Sequence, residues 1–220
     1  ALTTAQLATF SSAEVALLST AQIKALDTAQ VKALSVDGLA AFSTVQMAAL
    51  TTDLVAALSA AQIKGLTTAQ VAQVTAIGTT NVNALTSTQV AALTTEQIAS
   101  LSTTVATNLS TAQLSGLNAS QVSALTTAAV AALSKNSVKA LTASQFKGLT
   151  SSAMAALTTA QAPALTTAQL AVLTKAQVIA LTTAQVATLT STQAKSISAS
   201  NLAELTTGQT KALSTTAVNA

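Results

Sequence analysis

Leu165-Thr166-Thr167-Ala168-Gln169-Leu170-Ala171-Val172 is followed directly by Leu173-Thr174-Lys175-Ala176-Gln177-Val178-Ile179-Ala180 and then by Leu181-Thr182-Thr183-Ala184-Gln185-Val186-Ala187-Thr188. Read as a unit of eight, each stretch opens on a large apolar residue, continues with a hydroxyl residue, and carries Gln at position five and an apolar residue at position six. A hydroxyl residue followed three places later by Gln or Glu is the capping box. Each side chain satisfies the other residue's backbone N–H at the start of a helix. The apolar residue before the cap and the one at the fourth helical place form the hydrophobic staple, so every octad carries a complete helix-start signal.

Working outward, the opening residue recurs every eight places at Leu2, Phe10, Leu18, Leu26, Leu34, Phe42, Leu50, Leu58, Leu66 and Val74. The frame slips once by three residues at Val74-Thr75-Ala76, resumes at Ile77, and runs from Leu85 through Leu93, Leu101 and Leu109 to Leu205 and Leu213. The array therefore divides into residues 1–76 in a first frame and 77–220 in a second, read as one continuous solenoid. Position five is Gln6, Glu14, Gln22, Gln30, Gln62, Gln70, Gln89, Gln97, Gln113 and Gln121, among others. Positions four and eight are mostly Ala, Gly or Ser, small enough to let neighbouring backbones approach closely. Self-similarity over the whole chain marks a repeat architecture.

One long helix does not fit the pattern. Eight residues at about 100° each turn the apolar stripe by roughly 80° per octad, which would carry Leu around every face. The consistent fold is all-α: a solenoid of very short capped helices, one per octad, each held by its neighbours because isolated helices that short do not persist in water. Pro163, at position seven, agrees with a short helix, and Ala162 beside it lacks the staple residue, so that octad is expected to be locally weak. The alternative is a β-solenoid favoured by Thr and Val. The Ala and Gln content, the lack of strict alternation and only six Gly weigh against it.

Composition narrows function. Half of the 220 residues are hydrophobic, 7% are charged, and the aromatic content is three Phe. The core is thus thin and built from Leu, Val, Ile and Ala. Apolar runs such as 128–133 are far shorter than the ~18 residues of a membrane span. The net charge of +3 comes from singly scattered basic residues, which is not a nucleic-acid footprint. There is no Cys and no His. The acids Glu14, Asp27, Asp37, Asp53, Glu96 and Glu204 are dispersed and suit capping better than paired acid/base chemistry. No catalytic, cofactor-binding or metal-ligating residues are assigned, no cofactor is expected, and the chain is read as not an enzyme. Asn81 and Asn83 beside the slip have no accompanying carboxylate to help hold an ion.

Three surface features stand out. Lys24, Lys32, Lys64, Lys139, Lys147, Lys195 and Lys211 share position seven and in a regular array are expected along one outer ridge, a solvated edge or a contact for an anionic surface or polysaccharide. Thr4, Thr52, Thr68, Thr159, Thr167 and Thr183 at position three are expected to form exposed hydroxyl rows suited to solvation, ice, carbohydrate or a neighbouring array. Asn108-Leu109-Ser110 and Asn118-Ala119-Ser120 match the N-glycosylation pattern.

Tracts such as Leu165–Leu170 and Leu181–Val186 resemble the Leu-Thr-Thr-Ala-Gln-rich repeats in very large secreted or surface proteins of Gram-negative bacteria, and the resemblance extends along the whole chain. It implies a structural protein of adhesin, matrix or filament type at an extracellular or cell-surface location, and it transfers no functional residue. Since both ends fall inside the repeat, self-association or continuation of the same repeat is the expected partner relation.

Overall fold

A computed structural model describes residues 2–76 and 84–213, and among these every regular element is helical. Short α-helices of four to six residues recur once per octad, joined by one nine-residue helix, Thr68–Ala76, and one 3₁₀ turn, Ala162–Ala164. No strand occurs among the described residues, which removes the β-solenoid alternative.

The local reason is visible at Thr182. Its backbone is extended (φ −74°, ψ 155°), its hydroxyl accepts the Gln185 N–H at 3.1 Å, and its own N–H donates to Gln185 Oε1 at 2.6 Å. The helix Thr183–Ala187 that follows lasts little more than one turn. The chain is extended again by the next octad's cap, Thr190 (φ −76°, ψ 162°). The same reciprocal box closes at Ser19 and Gln22, Thr94 and Gln97, and Thr142 and Gln145. Thr182→Ala is expected to cost about 0.5–2 kcal/mol, read as faster amide exchange at Gln185 and its neighbours.

The chain divides into two compact units, Ala1–Gly116 and Leu117–Ala220. In the N-terminal unit Thr4–Ala8 packs on Thr28–Ala33 and that on Thr52–Ala57, while Ser12–Ala16 packs on Val36–Ala40 and that on Ala60–Gly65. In the C-terminal unit Ala119–Ser123 packs on Ala143–Lys147 and that on Thr167–Ala171; Thr183–Ala187 packs on Thr207–Ala212. Each helix thus meets the one three octads along, so three octads make a turn within each unit. Position six lies innermost: Leu7, Ile23, Met47, Ile98, Leu114, Phe146 and Leu170 are fully buried. Position-one residues such as Leu50, Leu125 and Leu181 are buried at the bends. Removing these two apolar side chains per octad from water drives the stacking.

Close approach at position eight is also observed. A Cβ added to Gly148 would stand 2.6 Å from the carbonyl oxygen of Ala119, and one added to Gly116 would stand 3.0 Å from that of Ser87. Backbone of one turn touches backbone of the next at these places.

The three-residue slip lies inside the N-terminal unit and is absorbed as helix. Thr68–Ala76 runs on through Val74 and Thr75, both buried, and the Thr75 hydroxyl donates to the Val71 carbonyl at 2.8 Å. Asn81 and Asn83 lie outside the described residues. At Pro163 the octad keeps its capping box between Thr158 and Gln161, but the α-helix is reduced to a 3₁₀ turn. Ala162 nevertheless takes the buried position-six place.

Candidate functional site

The bend between octads recurs along the chain, and in most octads its centre is the position-five glutamine, though Gly38, Leu54, Val105, Ala129, Ser137 and Ala153 stand there in others. In Gln169 the Oε1 atom accepts the Thr166 N–H at 2.9 Å and the backbone N–H donates to the Thr166 hydroxyl at 3.2 Å, which is the capping box read from sequence. The other end of the same amide points elsewhere. Its Nε2 donates to the carbonyls of Val138 at 2.8 Å and Leu141 at 2.7 Å, one turn earlier in the coil. Those carbonyls belong to the end of the helix Lys135–Ala140 and the bend after it, where the intrahelical ladder runs out and the Val138 carbonyl also accepts the Leu141 N–H at 3.3 Å.

One side chain therefore closes the start of its own helix and the end of another. The arrangement recurs with Gln46 on Leu18, Gln62 on Leu34, Gln70 on Phe42, Gln161 on Leu133, Gln177 on Leu149, Gln185 on Leu157, Gln193 on Leu165 and Gln209 on Leu181. Each spans 28 residues. After the slip Gln89 and Gln97 span 31 residues to Leu58 and Leu66, so the insertion is taken up without losing the bond. Asn201 makes the same reach to Leu173 at 2.6 Å. Among the described residues no buried side-chain nitrogen or oxygen lacks a partner.

This second bond was not foreseen from sequence, though a signal for it exists. The capping box accepts Glu as readily as Gln, yet Glu occupies position five once, at Glu14, where the side chain is exposed. Of the two, the amide both accepts and donates, whereas an ionised carboxylate only accepts.

The acids take several local roles. Glu14 accepts the Ser11 N–H and hydroxyl, both at 2.8 Å, and the Ser11 backbone bond followed by its hydroxyl holds the carboxyl below its ordinary value. Asp27 is an N-cap, accepting from the Gln30 N–H at 2.8 Å. Asp37, Asp53 and Glu96 sit in first helical turns, where the helix dipole favours an anion. Glu96 is lowered by its own backbone N–H and then by the Thr94 hydroxyl. Glu204 pairs with Lys175 across exposed surface. No group of three or more His, Cys, Asp or Glu able to hold a metal ion is present among the described residues.

The single lysine ridge does not form. Three octads per turn place Lys24, Lys32 and Lys64 on three different columns of stacked octads, and Lys139 and Lys211 share a column that Lys147 and Lys195 do not. The threonine rows are likewise split by column. Thr4, Thr28 and Thr52 follow one another on one side of the N-terminal unit and Thr20, Thr44 and Thr68 on another. Successive hydroxyls in a row are therefore about one helix packing distance apart, ~8–10 Å. Asn108 Nδ2 donates to the Thr104 carbonyl and Asn118 caps a helix through Gln121, so both glycosylation-pattern side chains are engaged in local bonds.

No helix among the described residues is long and apolar enough to cross a membrane. Residues 23–60 and 72–103 match the family model of the ALTTAQ repeat, in agreement with a repeat region. No curated protein and no solved structure matches the chain.

Proposed function

We propose that this chain is a non-enzymatic structural repeat, a stretch of an elongated stalk or filament displayed or secreted by a bacterial cell, of the kind found in very large adhesin or matrix proteins of Gram-negative bacteria. The observation that carries the reading is the glutamine bond between turns. Within the C-terminal unit successive turns are fixed by the same atoms, a geometry that further turns can repeat. Further octads, from the same chain or another copy, extend such a coil by repeating it. The ALTTAQ repeat match supports the structural-repeat part of this reading.

Small-angle scattering on the purified chain tests it. A compact protein of 220 residues has a radius of gyration of about 17 Å, and a rod-forming repeat gives a clearly larger value with rod-like scattering. A compact, spherical profile would remove the stalk reading. Surface proteolysis of intact cells tests the location, and protection of the chain from it would count against display.

A second reading is a binding face for ice or carbohydrate. The columns of exposed threonines, Thr20, Thr44 and Thr68 among them, favour it.

A further inference from the structure

Charge is not shared evenly between the two units. Glu14, Asp27, Asp37, Asp53 and Glu96 fall in the N-terminal unit, whereas Lys135, Lys139, Lys147, Lys175, Lys195 and Lys211 fall in the C-terminal unit against the single acid Glu204. Within the C-terminal unit the columns also differ. Octads 133–140, 157–164, 181–188 and 205–212 stack in order, as Gln161, Gln185 and Gln209 each bond the bend beneath. This column presents Lys135, Lys139 and Lys211, all exposed, and no carboxylate. The adjoining column has Lys175 already paired with Glu204.

Lys135 and Lys139 stand four residues apart on one short helix, Lys135–Ala140, an arrangement in which like charges repel. Neither has an ion-pair partner among the described residues. Beside them the 3₁₀ turn at Pro163 leaves an open recess of about 460 Å³, lined by Lys135, Asn136, Lys139, Ala160, Pro163 and Thr166 among others. Farther along the same column Thr159, Thr183 and Thr207 expose one hydroxyl per turn.

We propose that this column of the C-terminal unit is a binding face for a carboxylate-bearing polysaccharide, with the Lys135/Lys139 pair and its recess as the anchor and the threonine row beside the sugar hydroxyls. An anion between the two ammonium groups relieves their repulsion. The chemistry favours sugar carboxylates over nucleic acid: every basic residue is Lys, so the bidentate phosphate fork of Arg is missing, and the face has no aromatic ring on which a base would stack. The proposal rests on the extracellular reading above and narrows the second reading's carbohydrate to an acidic one, on a column of the C-terminal unit.

The test is binding of the whole chain to immobilised polygalacturonate at about 0.01 M and about 1 M salt, between which the screening length falls from roughly 30 to 3 Å. Binding is expected at low salt and lost at high salt. Lys135→Gln with Lys139→Gln is expected to weaken it by about tenfold, and Lys147→Gln with Lys195→Gln, which removes the same charge from another column, by less than about twofold. Both variants replace exposed lysines by a good helix former, and unchanged circular dichroism confirms that they fold. Equal losses in the two variants, equal binding to neutral dextran, tighter binding to duplex DNA, or no binding would each overturn the proposal. Dextran binding would leave the threonine reading standing, and none of these results touches the scattering test of the stalk.

Discussion

Gln169→Glu is expected to destabilise its turn by about 3–5 kcal/mol at neutral pH, the range for stranding a buried charge without its partner. The replacement keeps every atom the capping box needs, since a carboxylate oxygen still accepts the Thr166 N–H. What it removes is the donor to Val138 and Leu141, and it sets a negative oxygen against two carbonyls now 2.8 and 2.7 Å from Nε2, at a residue 1% exposed. Burial and the facing carbonyls raise the folded-state pKa of the new carboxyl above the unfolded value of about 4.3. The native state then holds a proton that the unfolded state has released, so stability falls as pH rises from about 4.3 through the folded pKa. Below about 4.3 the penalty is smallest, because a protonated carboxyl again donates one bond. Gln6→Glu is the control. Gln6 is exposed and makes only the box, so its replacement is expected to stay within about 0.5 kcal/mol. Denaturant unfolding at two pH values, with amide exchange to locate the effect, separates the cases. Equal behaviour of the two variants at pH 7 would show that the bond between turns contributes nothing.

That prediction also marks where sequence stops being legible. The octad, the cap, the box and the buried pair at positions one and six are all local, and local signals survive in a sequence because each residue's partner lies three to five places away. Thr182 and Gln185 announce each other. Gln185 and Leu157 do not, because the acceptor at Leu157 is a backbone carbonyl that any residue would supply. Three octads per turn was therefore hidden, and with it the distribution of Lys24, Lys32 and Lys64, whose shared repeat position suggested one ridge. The slip was visible as a change of frame, but its outcome depended on Thr75 turning its hydroxyl back onto Val71 while Val74 stayed buried. Pro163 was legible in its place but not in its result. A position-seven proline was compatible with a short helix, and the chain instead tightens to a 3₁₀ turn that opens the recess beside Lys139.

Phe146→Ala is expected to cost about 3–5 kcal/mol and to spread its damage by turns of the coil. Phe146 is completely buried at position six, the innermost place of its octad. Ala at position six is not foreign to this chain, for Ala106, Ala162 and Ala194 stand there buried. Those turns are built around a small side chain, whereas removing a ring from a turn shaped for it leaves a cavity that close-packed helices cannot fill without moving. The helix carrying Phe146, Ala143–Lys147, packs on Ala119–Ser123 in one direction and on Thr167–Ala171 in the other. In a structure held by nearest-neighbour contacts, stability is a sum of repeat and interface terms. Loss of exchange protection should then be largest in these three helices, smaller at Ser191–Ser196, the next helix in that column, and absent beyond it. The pattern follows from stacking order, because Ser191–Ser196 meets the damaged helix only through Thr167–Ala171. Equal loss of protection at every described residue from 117 to 213 would mean that the C-terminal unit unfolds as one cooperative body. The independent turns on which an extendable stalk depends would then be absent.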